Sequence, residues 1–137
     1  MEEDTAMLRM ITAAAVLTYV LTGLIASPAA AQTAPAGIGN TPKGKVLVDA
    51  KGMTLYVFDK DSANKSNCNG SCLQTWPPFA AAADAKPTTD FTIVDRGDGT
   101  KMWAYKGKPL YTWKADKAPG DITGDGFNNN LWHIATP

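Results

Sequence analysis

The residues of this chain best suited to chemistry form a motif of tyrosine, a large aromatic and aspartate that occurs twice. Residue numbers in the two copies differ by 55: Tyr56, Phe58 and Asp61, then Tyr111, Trp113 and Asp116. In a β-strand, residues two positions apart share a face, so each tyrosine and its aromatic neighbour should point the same way. That face could be an aromatic-lined ligand surface with an aspartate at its rim. It could instead be core, with each aspartate accepting backbone N–H groups of the next loop. We favour the core interpretation, because a repeat must use the same folding element twice.

The two cysteines of the chain, Cys68 and Cys72, support two alternatives. The residues between them are typical of a turn, so in an oxidising compartment a disulfide that clamps this turn is favoured. As thiolates they could instead bind Cu(I) or Zn²⁺ together with His133, the single histidine. Met53 or Met102 could add a thioether ligand. This alternative predicts a periplasmic copper- or redox-handling protein.

Calcium is a weaker cofactor alternative, because two polar loops carry the oxygen ligands that Ca²⁺ prefers. The candidate ligands are Asp59, Asp61 and Asn64 in the first loop, and Asp121, Asp125 and Asn128 in the second. Neither loop ends in the glutamate of an EF-hand. Loops of this composition are also ordinary hairpin connections, so the favoured prediction is a protein without a cofactor.

The composition argues against several classes of activity. From residue 32 onward the chain has no glutamate and one histidine, and it contains no Gly-x-Ser-x-Gly or phosphate-binding glycine motif. This part of the chain keeps 12 basic and 10 acidic residues, which are scattered. No basic cluster could follow a phosphate backbone, so nucleic-acid binding is not expected. We assign no catalytic residue and expect a non-enzymatic protein.

The N-terminal segment predicts export. An apolar run leads to a site with Ala29 and Ala31, the small residues that signal peptidase accepts. We predict a signal peptide over residues 1–31, with Met7 as the candidate true start because the acidic opening is atypical. A retained anchor is the alternative, although the apolar run is shorter than the ~20 residues that span a bilayer comfortably. No cysteine lies near the cleavage point, so we expect no lipid anchor and a periplasmic or secreted protein.

The remainder of the chain predicts short strands and turns. Runs such as Lys45–Ala50 and Phe91–Arg96 are rich in β-branched or aromatic residues and are followed by glycine turns. Residues 32–43 lack periodicity and predict a flexible leader or an extended edge segment. Ala80–Ala85 could form one helical turn.

The correspondence between the two halves extends beyond the motif, since Trp76 and Trp132 also match, with an offset of 56. Each half is too short to bury a core of its own, so two halves should pack together with approximate twofold symmetry. We therefore expect an all-β domain over residues 44–137, a small antiparallel sandwich or barrel-like domain. Its two tandem pseudo-symmetric repeats should span about 44–82 and 91–137.

Four segments carry a resemblance to a known family: LYVFDKD, LYTWKAD, CNGSCLQTWPPF and the ending LWHIATP. They resemble a family of bacterial secreted repeats, many of them predicted lipoproteins, with the motif Tyr-x-(Phe/Trp/Tyr)-x-x-Asp. The resemblance implies export and a repeat, and it supplies no activity and no catalytic residue. We expect an exported, non-enzymatic binding or structural β-domain of the cell envelope. Its partner would be an envelope protein, a polymer or a small ligand.

Overall fold

Short antiparallel strands dominate the part of the chain that the structure, a computed structural model, describes, which is residue 23 and residues 33–137. The strands are β1 Gly37–Thr41, β2 Gly44–Val48, β3 Tyr56–Phe58, β4 Ala80–Ala81, β5 Phe91–Asp95, β6 Lys101–Tyr105, β7 Lys108–Pro109 and β8 Trp132–Ile134. The helical turns are α1 Ser71–Thr75 and α2 Phe127–Asn130. All of these strands pair in antiparallel fashion, which confirms the predicted all-β class.

The strands pair in three groups. β1 and β2 form a hairpin, β3 pairs with β8, and β6 lies between β4 and β5 with β7 also paired to it. Isolated bridges join the groups, among them one between Tyr56 and Tyr111. The backbone N–H of each tyrosine donates to the carbonyl of the other, at 2.8 and 2.9 Å. The two repeats therefore touch at equivalent residues.

Each repeat contributes its last strand to the sheet of the other repeat. The backbones of Leu47, Leu55 and Ala135 close a ring of three hydrogen bonds of 2.8–2.9 Å. An equivalent ring of three 2.9 Å bonds is closed by Trp103, Leu110 and Phe79. Two members of each ring belong to one repeat and the third belongs to the other. Neither repeat completes its backbone pairing alone, in agreement with the prediction that the halves depend on each other.

The motif segments pack side chains on both of their faces, into two hydrophobic clusters. Tyr56 and Phe58 pack in the first cluster, which also holds Tyr111 and both Trp76 and Trp132. The residues that alternate with the motif positions pack in the second cluster, namely Leu55, Val57 and Leu110. The alternation of side chains along a strand explains this division.

Two segments bear on the sequence-based predictions. Residues 37–41 form strand β1 and pair with β2, which agrees with the predicted extended edge segment and not with the flexible leader. The strands therefore begin before residue 44. Gly39 permits this pairing, because a Cβ there would lie 2.6 Å from Val48 Cγ1. The helical turn predicted at Ala80–Ala85 was wrong at its start, because Ala80–Ala81 form β4 and pair with β6. The helical turn of the first repeat is instead α1, Ser71–Thr75. The sequence predicted only a polar loop and the last segment of the repeat there.

The predicted signal peptide over residues 1–31, and with it the candidate start at Met7, lies outside the described residues apart from position 23. Within the described part of the chain, no helix has the length and apolar character needed to cross a membrane.

Candidate functional site

The motif tyrosines and aspartates form two hydrogen bonds that cross between the repeats. The Tyr56 hydroxyl donates to Asp116 Oδ2, and the Tyr111 hydroxyl donates to Asp61 Oδ2, both at 2.6 Å. Both tyrosines are completely buried. We call these two bonds the tyrosine–aspartate cross-links, because each joins a residue of one repeat to a residue of the other.

Each motif aspartate also orders the loop that follows it. Asp116 Oδ1 accepts the backbone N–H of Thr123 at 3.0 Å and the Thr123 hydroxyl at 2.6 Å. Asp61 Oδ1 accepts the backbone N–H of Asn67 at 2.6 Å. Both oxygens of each carboxylate are therefore engaged within the protein, one with a tyrosine of the other repeat and one with its own loop.

The electrostatics of the cross-links keep the tyrosines protonated. Burial raises the pKa of Tyr56 far above its ordinary value, and the hydrogen bond to Asp116 raises it further. Burial and the bond to Asp61 act in the same direction on the pKa of Tyr111. A hydroxyl that stays protonated is a hydrogen-bond donor and a poor nucleophile or base at neutral pH. The motif is thus equipped to connect the repeats, a role that the sequence-based core interpretation did not include.

The acidic groups around the motif should make stability depend on pH in two opposite senses. Burial raises the pKa of Asp61 above its ordinary value of 3.8, and its hydrogen bonds offset this only in part. The backbone N–H groups of Lys117 and Ala118 instead lower the pKa of Asp121 below 3.8. The folded protein therefore binds the Asp61 proton more tightly than the unfolded chain does, and the Asp121 proton more weakly.

We expect the stability of the wild type relative to Asp61→Asn to increase as the pH falls toward 3.8 through the raised pKa of Asp61. Relative to Asp121→Asn, it should decrease as the pH falls below 3.8 through the lowered pKa of Asp121. Urea unfolding of the three proteins between about pH 3 and pH 7 measures both differences. Difference curves with the same slope would contradict this assignment.

Four aromatic rings stack continuously across the repeats in the order Phe58, Trp132, Trp76 and Trp113. Successive ring centroids are 4.3, 3.8 and 4.2 Å apart, and the two central rings are parallel within 3°. In the repeat correspondence, Trp76 matches Trp132 and Phe58 matches Trp113, so the order is symmetric about its centre. This aromatic stack therefore crosses the pseudo-twofold axis, and each half of it contains one ring from each repeat.

A glycine beside the aromatic stack provides a test of its packing. A Cβ at Gly124 would lie 2.7 Å from Trp76 Cη2 and 2.9 Å from Trp113 Cγ, both in rigid rings. We expect Gly124→Ala to lower the free energy of unfolding by about 1–3 kcal/mol through overpacking, measured by urea denaturation. Gly37→Ala is the control, since its Cβ would meet Val48 Cγ2 at an ordinary 3.5 Å. Equal stabilities of the two variants would be inconsistent with this packing.

A groove of about 330 Å³ lies at the centre of the aromatic stack. Trp76 and Trp132 form the floor of this aromatic groove, since they are only 3% and 2% exposed. One rim is α1 with Ser71, Cys72 and Thr75, and the other rim is α2 with Phe127 and Asn128. The two rims occupy corresponding positions in the repeats, so the groove lies between equivalent elements.

The motif also contributes to two corresponding clefts at the boundary between the repeats. One, of about 320 Å³, has Asp61 on one side and Lys106 on the other. The other, of about 170 Å³, is formed in the same way by Asp116 and Lys51. Asp61 and Asp116 are each already hydrogen-bonded to a tyrosine and to a loop. We therefore do not take these clefts as the primary candidate site.

The disulfide predicted between Cys68 and Cys72 is confirmed, with an S–S distance of 2.01 Å. Cys68 is fully buried against the first cluster, and Cys72 packs at the groove rim. The Arg96 guanidinium secures the cysteine loop by donating to the Cys68 carbonyl at 2.8 Å and to Ser66 Oγ at 2.7 Å. Ser66 in turn contacts the Tyr111 hydroxyl at 2.6 Å, so the loop is tied to one of the cross-links.

Reduction of this disulfide should destabilise the protein without unfolding it. The closed loop is short, with a sequence separation of 4, so the chain-entropy model gives a loss of about 2 kcal/mol. Urea unfolding with and without reductant measures the loss, and a thiol titration of the denatured oxidised protein should find no free thiol. The Cys68→Ser/Cys72→Ser variant should match the reduced protein. Two free thiols in the oxidised protein would contradict the pairing.

The copper alternative built on Cys68, Cys72 and His133 is not assembled in the described residues. The disulfide leaves no thiolate to bind a soft metal. His133 Nε2 instead lies 2.8 Å from Asp59 Oδ2 in an exposed pair. Among the described residues, no group of three or more histidine, cysteine or acidic side chains is placed to hold a metal ion.

The predicted calcium ligands also diverge, because most of them contact different protein partners. Asn64 Oδ1 accepts the hydroxyl of Thr92 at 2.6 Å. Asp121 Oδ2 accepts backbone N–H groups of its own turn, at 2.8 and 3.0 Å. Asp125 Oδ2 lies 2.6 Å from Lys43 Nζ. Oxygen atoms bound in this way do not converge on one cation.

The sequence analysis missed Arg96, Ser66 and Phe127. Arg96 is the single arginine after residue 9, which could have marked it for a specific role. Ser66 carries no distinguishing pattern. Phe127 precedes a run of three asparagines, and asparagine is the commonest residue other than glycine in left-handed backbone. The sequence alone predicts an ordinary polar loop there.

Comparison with known proteins agrees with the two-repeat architecture. No curated protein and no solved structure matches the chain. A family model described as "secreted repeat of unknown function" matches it twice, over residues 37–80 and 92–136. The two matches account for most of the described chain and confirm the resemblance inferred from the sequence. The chain therefore belongs to this family of secreted repeats.

Proposed function

We propose that this protein is an exported, non-enzymatic binding domain of the cell envelope, periplasmic or secreted, that uses the aromatic groove to hold its partner. The motif residues serve as its scaffold. Their hydroxyl and carboxylate groups are buried or bound within the protein, so they act on the fold and not on a ligand. Export agrees with the family description and with a disulfide, which persists in oxidising compartments.

The observation that carries the proposal is the position of Phe127 at the groove rim. Its side chain is 46% exposed, although its ring also packs 4.6 Å from that of Trp113. The next three residues, Asn128, Asn129 and Asn130, all have positive φ, between 54° and 63°. Consecutive left-handed residues other than glycine are strained, and such strain concentrates at functional sites. A strained turn that presents an aromatic ring to solvent beside a groove supports a binding role.

The proposal predicts that the protein associates with envelope material through Phe127. Purified protein is incubated with washed cell-envelope fragments of a bacterial host and sedimented, and the bound fraction is quantified. We expect Phe127→Ala to reduce the bound fraction at least tenfold. Ile38→Ala is the matched control, because Ile38 is the other large exposed apolar side chain of the described residues and lies on β1, outside the groove. Equal loss in both variants, or no binding by the wild type, would refute the proposal.

A further inference from the structure

From the lining of the aromatic groove, we infer that its ligand is an uncharged glycan segment of one or two sugar rings. This inference rests on the proposed function, since it specifies the class of partner that the groove holds. It depends on three properties of the groove: the exposed aromatic ring of Phe127, the neutral polar rim and the preformed shape.

The aromatic surface of the groove suits the apolar faces of sugar rings. Phe127 presents its ring at the mouth, and the half-buried Phe58 also lines the groove. A pyranose ring has C–H bonds directed to its faces and hydroxyl groups around its edge. It can therefore pack a face on an aromatic ring while its edge stays hydrated or hydrogen-bonded. A fully apolar ligand would use the rings but not the polar rim.

The rim supplies neutral hydrogen-bonding groups beside this aromatic surface. Ser71 and Thr75 contribute hydroxyls from α1, and Asn128 contributes an amide from α2. Hydroxyl and amide groups each donate and accept, as sugar hydroxyls do. In the described part of the chain, the side chains of these three residues make no hydrogen bond within the protein, so they are available to a ligand.

No charged side chain lines the aromatic groove. A charged ligand would lose hydration on entering without gaining an ionic partner, which is unfavourable. The two boundary clefts are different in this respect, because each has an aspartate and a lysine in its lining. Charge complementarity therefore selects an uncharged ligand for the groove and disfavours phosphates, nucleic acids and acidic polymers.

The groove is already formed in the protein without a ligand. The disulfide closes the loop at the α1 rim, the aromatic stack lies beneath the groove, and three left-handed asparagines shape the α2 rim. A preformed site loses less conformational entropy on binding than a mobile one. Its volume of about 330 Å³ is at the lower end of ligand sites, which are roughly 300–1,000 Å³, and this limits the bound segment to a few groups.

The test is a titration of the folded, oxidised protein with two uncharged oligosaccharides, tetra-N-acetylchitotetraose and maltotetraose, by calorimetry and tryptophan fluorescence. Trp76 and Trp132 line the groove, so the fluorescence should change on binding. We expect saturable binding of at least one sugar, weakened at least tenfold by Phe127→Ala and unchanged by Ile38→Ala. Tetragalacturonic acid, an anionic oligosaccharide, should bind at least tenfold more weakly than the better uncharged sugar.

A second variant keeps the test valid if Phe127→Ala weakens binding only because it misfolds. Asn128→Gly removes the amide and keeps the backbone, because glycine adopts positive φ readily. It should melt at or above the wild-type temperature and still bind sugar several-fold more weakly. Binding that neither variant alters would overturn the inference.

The outcomes separate this inference from the proposed function. If neither sugar binds while sedimentation with envelope fragments still depends on Phe127, the partner is a protein or another polymer. The glycan inference is then wrong and the proposed function stands. If both sugar binding and sedimentation are absent, both are wrong. If the anionic oligosaccharide binds as tightly as the uncharged ones, the groove does not select an uncharged ligand and the glycan inference is wrong.

Discussion

Trp132→Ala is expected to lower the free energy of unfolding by about 3–5 kcal/mol, the range typical for truncation of a buried large aromatic. Trp132 is 2% exposed and is the largest of the fully buried side chains. Its ring stacks on Phe58 at 4.3 Å and on Trp76 at 3.8 Å. Truncation would leave a cavity in the centre of the aromatic stack, where rings from both repeats meet. Urea unfolding followed by far-ultraviolet circular dichroism measures the loss.

Trp113→Ala is the matched control for this prediction. Trp113 ends the aromatic stack, is only half-buried, and lies beside the solvent-exposed Phe127. Its truncation should therefore cost distinctly less than that of Trp132, because the surroundings and water can occupy the space. If the two truncations destabilise equally, the centre of the aromatic stack is not the main packing contact between the repeats.

The alternation of residues along the motif strand could be predicted from the sequence alone. A period of two places Tyr56 and Phe58 on one face and Leu55 and Val57 on the other, and the structure divides them between its two hydrophobic clusters in this way. The local chemistry of the cysteine turn likewise predicted the disulfide. Such predictions succeed because they depend on contacts between residues that are close in the chain.

The exchange between repeats could not be predicted from the spacing. Tyr56 could have bonded to Asp61 in its own repeat or to Asp116 in the other, and the residue pattern is identical in both arrangements. The choice depends on the last strand of each repeat, which follows the cysteine loop in one repeat and the asparagine loop in the other. That strand pairs with the other repeat, as in the ring of backbone hydrogen bonds among Leu47, Leu55 and Ala135. A repeated sequence does not distinguish pairing within a repeat from pairing between repeats, because both arrangements place the same residue types in contact. They differ only in which copy of the repeat supplies the aspartate.

The aromatic groove could not be predicted from the sequence for a related reason. Phe127 and Trp76 are far apart in the chain, and their rings come within 5.9 Å only because the repeats pack about the aromatic stack. The left-handed asparagines are a local signal, but their position beside an exposed ring depends on that packing. The sequence could therefore predict the scaffold better than the surface that the scaffold supports.

Asp116→Ala is expected to lower the free energy of unfolding by about 2–3 kcal/mol, since it removes a buried charged acceptor and leaves donors unpaired. Asp116 is 7% exposed and accepts from Tyr56 and from both the N–H and the hydroxyl of Thr123. Asp61→Ala should cost less, about 1–2 kcal/mol, because Asp61 is more accessible and Ser66 remains as a partner for Tyr111. Melting curves equal to that of the wild type for both variants would contradict the scaffold role of the motif.

A double-mutant cycle distinguishes the crossed arrangement from pairing within a repeat. Tyr56→Phe and Asp116→Ala should be coupled by about 0.5–3 kcal/mol, because they remove the two ends of one buried hydrogen bond. Tyr111→Phe and Asp116→Ala should be nearly additive, although both residues belong to the second repeat. Coupling within a repeat and additivity between repeats would show that the tyrosine–aspartate cross-links do not join the halves. The groove between them would then lack the rigid support on which its binding role depends.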